Sequence, residues 1–232
     1  MSAPRKTYDL RITGRWVVGL LWASILLDVA LLLVTVWLYS SLNGFENGRL
    51  DQSEAEAAFV AIGNIQKLAY LIAVAISVIC IVVSCMWIYR AAHNAGGIAP
   101  TEKRIKPGWA VGWFFIPVAN LWKPYQSIRQ TWNTTFDPSG DMNRPGPSVL
   151  AWWWVTWIVS NILSNVSIRQ ERLAETLVDF KILTFIDMAF FPITIISTLL
   201  FLRIVRAITS GQVAVLNTPT FGATAPVPTP SA

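Results

Sequence analysis

Residues 108–122 read GWAVGWFFIPVANLW, and the fold turns on whether this stretch crosses a membrane. It is uncharged but only 15 residues long, whereas a spanning helix needs about 20. Pro117 near its middle removes a backbone donor and breaks the hydrogen-bond ladder. Four longer apolar runs surround it. Trp16–Ser40 is interrupted only by Asp28, Leu68–Tyr89 and Val149–Ile168 carry no charge, and Ile182–Leu202 contains Asp187 and Pro192. Each is long enough to span. The pattern predicts an all-α, polytopic membrane helical bundle. Its four transmembrane helices lie at about 16–40, 68–90, 149–168 and 182–202. A Pro-broken segment, 108–136, re-enters the membrane or lies in its interface. Five spans, with 108–122 recruiting the residues after it, is the alternative.

Composition agrees. Of the 232 residues 54% are hydrophobic and 13% charged, against about 25% charged in soluble domains. The net charge of +5 does not point to nucleic acid, because no Lys/Arg run alternates with exposed aromatics on a polar domain. Cys80 and Cys85 are five residues apart in one apolar run. On a helix they turn to different faces, so they do not pair with each other. With His93 as the single histidine, no metal or cofactor is expected. Arg5, Lys6, Arg11 and Arg15 precede the first run as in a signal peptide, but the run exceeds the core of about 7–15 residues that such peptides carry.

Charge arbitrates between four and five spans. With four spans and an inward N-terminus, 13 Lys and Arg lie inside and 5 outside; with five spans the split is 11 to 7. The positive-inside rule favours four spans, with both termini cytoplasmic. Eleven of the twelve tryptophans then fall in the inner half, leaving only Trp37 at the outer face. Trp prefers such an interface, where the ring is buried and the N–H is wet.

The connections carry local signals. Ser53-x-x-Glu56 has the form of a capping box and places the start of the second helix near Glu54. In Lys123–Phe136, Tyr125, Ile128, Trp132 and Phe136 recur three to four apart. This predicts an amphipathic helix along the inner headgroups, with Pro124 in its first turn. Gln170–Phe180 reads as a short outer helix. The organisation expected is a cytoplasmic N-terminus over 1–15, a membrane domain over 16–209 and a disordered tail over 210–232.

Two blocks carry a family resemblance. They are Trp87-Ile-Tyr-Arg-Ala-Ala-His-Asn-Ala95 and Gly108-Trp-Ala-Val-Gly-Trp-Phe-Phe-Ile-Pro-Val-Ala-Asn-Leu-Trp-Lys-Pro-Tyr-Gln126. Together they resemble a bacterial membrane family catalogued as domain of unknown function 4328, over roughly Trp16 to Arg206. The resemblance implies a multi-pass protein of the bacterial plasma membrane and no activity.

Candidate functional residues fall into two groups. Trp113, Pro117, Asn120, Trp122 and Pro124 form a broken, aromatic, polar-tipped segment. Non-helical backbone at membrane depth survives only when buried in protein or lining a wet cavity. The segment is therefore an architectural wedge, with Asn120 capping the next helix, or a ligand or lipid site. Gly108-x-x-x-Gly112 permits close helix contact. Asp28 and Asp187 are the intramembrane acids. Such residues handle protons or cations, or join helices through hydrogen bonds. Arg90 and His93 read as headgroup contacts. No phosphate loop, nucleophile elbow, zinc-binding helix motif or carboxylate pair is present. The expectation is therefore a non-enzyme whose partners are membrane lipid and a second protein or copy of itself. A small transporter or channel component using Asp28 and segment 108–124 is the alternative.

Overall fold

The computed structural model describes residues 7–99 and 104–218. Arg5, Lys6, Lys103 and the part of the expected tail after Thr218 lie outside the described residues. The helices are α1 (Leu10–Glu46), α2 (Gln52–Ile98), α3 (Pro107–Gly112), α4 (Lys123–Phe136), α5 (Ser148–Leu173) and α6 (Leu177–Leu216). Two 3-10 turns, Trp113–Phe115 and Ala119–Leu121, lie between α3 and α4. No strand occurs among the described residues.

The protein is an all-α bundle in which α1, α2, α5 and α6 are long and apolar enough to cross a membrane. At 1.5 Å per residue, the 47 residues of α2 extend about 70 Å. That is more than twice the hydrocarbon thickness of about 30 Å, so α2 continues well beyond its apolar run. Segment 108–122 holds no helix of spanning length. Its helical pieces are six, three and three residues long, because Pro117 and the short run cannot sustain a ladder.

The chain divides into two compact units. One comprises 16–84 and 147–204 and carries the bulk of the four apolar runs. The other comprises 1–15, 85–146 and 205–232 and so takes in all of segment 108–136. Charge follows the same division. Twelve of the 18 Lys and Arg and four of the 13 Asp and Glu fall in the second unit, a net +8. The remaining six and nine leave the first at −3. The two are called here the basic unit and the apolar unit.

Within the apolar unit α1 buries Val17, Leu21, Ile25, Leu31 and Thr35, a stripe at four-residue spacing with one gap of six, inside which Asp28 falls. Trp153 stacks on Phe201 with ring centroids 5.2 Å apart, and Lys181 forms an ion pair with Glu46. Pro192 sits inside α6, which continues through it.

Three local expectations need correction. The box that starts α2 is formed by Asp51 and Glu54, not by Ser53 and Glu56. The Glu54 amide donates to Asp51 Oδ1 (2.8 Å), and the Asp51 amide donates to Glu54 Oε2 (3.1 Å). The Glu54 amide and then the Ser53 hydroxyl hold the Asp51 carboxyl below the usual carboxylate range. No separate helix occupies Gln170–Phe180. Instead α5 runs to Leu173, and α6 starts at Leu177 behind a box of Thr176 and Asp179. The tail does not begin at 210, since α6 continues to Leu216 and Gln212 is fully buried.

Candidate functional site

The block 87–95 on α2 forms the centre of the basic unit. Ala91, Ala92 and Ala95 are buried. Fully buried Asn94 holds the chain just before α1: its Oδ1 accepts from the Tyr8 amide and its Nδ2 donates to the Tyr8 carbonyl, both at 2.8 Å. The pair imitates a strand ladder and satisfies two backbone groups that no helix serves. The Tyr8 ring lies 5.0 Å from His93, and the Arg90 guanidinium sits 5.5 Å from its centre. Arg90 and His93, expected at headgroups, thus flank this N-terminal strap.

From α6, Thr209 accepts from the Trp87 indole at 3.0 Å. Gln212 Nε2 donates to the Ala91 carbonyl (3.0 Å) and to Thr135 Oγ1 (3.1 Å).

Helix α4 inverts the usual pattern. Its buried residues include Ser127, Gln130, Thr131, Asn133, Thr134 and Thr135. These side chains are served internally. Gln130 accepts from the Ile105 amide and donates to Asn143, and Asn133 donates to the carbonyls of Met142 and Arg144. Thr134 accepts from Arg104 at 2.9 Å. Burial pulls the Arg104 guanidinium below its usual pKa. The remaining stripe, Tyr125, Arg129, Trp132 and Phe136, recurs at helical spacing. It is half-buried to exposed, with Phe136 48% accessible. Of the expected apolar face, Phe136 is exposed, Tyr125 and Trp132 are half-buried and Ile128 is buried.

Segment 108–122 presents the same character. Phe115, Val118 and Leu121 are 67%, 68% and 56% exposed around an exposed Pro117. Trp113 is half-buried, stacks on Trp109 at 4.5 Å and lies 5.9 Å from the Lys123 ammonium. Trp122 is 44% exposed and occupies the N-cap of α4, and Pro124 is buried in the first turn. Asn120 does not cap α4. It sits in the second 3-10 turn, with Oδ1 buried and without a hydrogen-bond partner among the described residues. Among the described residues the Gly108–Gly112 pair makes no close helix contact: a Cβ at Gly108 would meet nothing within 4 Å, and one at Gly112 meets Trp109, three residues back on the same helix. Three cations of the basic unit lie over aromatic rings: Arg90 on Tyr8, Lys123 on Trp113 and Arg129 on Tyr125.

The two acids lie in the apolar unit. Asp187 accepts from Ser167 at 2.6 Å and so joins α6 to α5. Asp28 is half-buried on the inward stripe of α1 and has no hydrogen-bond or ion-pair partner among the described residues. No group of three His, Cys, Asp or Glu that could hold a metal occurs among the described residues.

The profile of the family described as Domain of unknown function (DUF4328) matches residues 46–210. The chain belongs to this family. Both quoted blocks fall inside the DUF4328 match, whereas α1 up to Phe45 precedes it, so the match begins later than Trp16. No curated protein and no solved structure matches the chain. Asn94, Gln130, Asn133 and Gln212 were not singled out by sequence. Their signal was polar side chains at helical positions with apolar or small neighbours.

Proposed function

We propose that this DUF4328 protein is a non-enzymatic protein of the bacterial plasma membrane. Its four spans leave both termini in the cytoplasm, and its basic unit rests on the anionic inner headgroups. The observation that carries the reading is α4, which buries its polar side, leaves Tyr125, Arg129 and Trp132 half-buried and exposes Phe136. Water would disfavour that arrangement, and an interface of lipid and headgroups favours it. The net +8 of the unit and the exposed tip at Phe115–Leu121 point the same way. Single cysteines at Lys123, Ser139 and Val118, with Cys80 and Cys85 replaced, test this. Positions 123 and 139 should react with a water-soluble maleimide only when the inner face is accessible. Position 118 should react in detergent and be shielded in the bilayer. Outside labelling of 123 and 139 overturns the orientation, and full reactivity of 118 in the bilayer overturns the interfacial anchor.

The unpartnered Asp28 favours a second reading, a small transporter or channel component. Under it, Asp28→Asn abolishes a proton or cation flux in liposomes while leaving the melting temperature intact. Absence of any flux from the wild-type protein removes this reading.

A further inference from the structure

A groove of about 490 Å³ opens on the basic unit, within the range of about 300–1,000 Å³ typical of ligand clefts. Its lining is amphiphilic. Cys85, Met86 and Val111 are apolar, whereas Tyr8, Tyr89 and Arg90 carry two phenols and a cation, and Gly108 completes it. No acid lines it, and Arg90 has no ion pair among the described residues. Its one hydrogen bond among the described residues is a 3.5 Å approach to Thr13 Oγ1, so the guanidinium retains donors to offer.

We infer that this groove holds one anionic phospholipid, its phosphate on Arg90 between Tyr8 and Tyr89 and an acyl chain along Met86 and Val111. The order along α2 selects that occupant. Cys85 and Met86 belong to the apolar run that ends at Tyr89, and Arg90 is the first charge after it. The apolar-to-cationic step of the groove therefore falls where a lipid changes from chain to phosphate. A soluble phosphate ester would leave the apolar end facing its polar body. The inference rests on the interfacial placement proposed above and adds a defined single-lipid site to it.

Gly108 supplies the test. A Cβ there meets no atom within 4 Å, so Gly108→Leu fills the groove without moving the backbone, and leucine is the better helix former. The full chain, delipidated in mild detergent, is incubated with palmitoyl-oleoyl phosphatidylglycerol or phosphatidylcholine and followed by native mass spectrometry. The wild-type protein should retain one phosphatidylglycerol per chain, about tenfold in preference to phosphatidylcholine, whose phosphate is paired with a choline cation that Arg90 repels. Gly108→Leu should lose retention of both lipids with an unchanged melting temperature, and Arg90→Gln should lose the headgroup preference. Retention by Gly108→Leu at the wild-type level, or unchanged preference in Arg90→Gln, overturns the site. If position 118 is nevertheless shielded in the bilayer, the interfacial reading survives that failure.

Discussion

Trp87→Ala should lower the melting temperature of the detergent-solubilised protein by about 10 °C. Trp87 is fully buried, and its indole N–H donates to Thr209 Oγ1 at 3.0 Å. Truncating a buried aromatic residue to alanine costs about 3–5 kcal/mol through lost transfer energy and the cavity left behind. For chains of this size each kcal/mol moves the midpoint by about 2–4 °C. The site tolerates little relaxation, because α1 closes on the same point: a Cβ at Gly14 would lie 2.9 Å from the Thr209 hydroxyl. Trp87 on α2, Thr209 on α6 and Gly14 on α1 thus form one junction within the basic unit. Trp87→Phe retains most of the ring and loses the hydrogen bond, so it should cost about 1–2 kcal/mol. A Trp87→Ala protein that melts with the wild type would show that this junction does not hold the unit together.

The parts of this fold that were legible are those that a bilayer makes insensitive to tertiary detail. Trp16–Ser40, Leu68–Tyr89, Val149–Ile168 and Ile182–Leu202 each lie inside one long helix. The reason is that length and lack of charge suffice when no water is present to satisfy backbone groups. The same reasoning favoured four spans over five, and 108–122 holds no helix of spanning length; the spacing of Tyr125, Ile128, Trp132 and Phe136 located α4 with both ends in place.

Which face α4 buries was not legible. A periodic stripe fixes the rotation of a helix relative to itself, and only the surroundings decide whether that stripe points to protein or to lipid. The cap of α2 was ambiguous for a similar reason. Asp51 and Ser53 are both good caps, and a chain reversal at Gly48, with φ of +64°, precedes the one that is used. Asn94 stood in a quoted block, but its partner Tyr8 is 86 residues away, and nothing local points to such a pairing. In sequence Asp28 and Asp187 differ only in depth, Asp28 near the middle of its run and Asp187 nearer the outer end of its own. They differ in the structure because Ser167 donates to Asp187, whereas no donor among the described residues reaches Asp28.

The last turns of α6 give the second large effect. From Gln212 onward the composition is that of a tail, yet Gln212 is fully buried and donates to the Ala91 carbonyl and Thr135 Oγ1. Gln212→Glu keeps the shape and exchanges the donor for a carboxylate. The Ala91 carbonyl cannot donate to it, and the Thr135 hydroxyl already donates to the Thr131 carbonyl at 2.7 Å. The charged form is therefore unsupported, and burial raises the pKa of the new acid above its unfolded value of about 4.3. For a group raised on folding, stability is retained below the unfolded pKa and falls as pH rises toward the folded one. The loss is about 1.4 kcal/mol per pH unit, or roughly 4 kcal/mol by pH 7. The variant should melt close to the wild type at pH 4.5, where its protonated acid can donate to Ala91 as the amide does. At pH 7.5 it should melt about 10 °C lower. Gln212→Leu, with no titrating group, should show a difference from the wild type that does not vary with pH. If the Gln212→Glu difference is equally flat, Gln212 is not part of the core, and the chain after Ser210 is a tail after all.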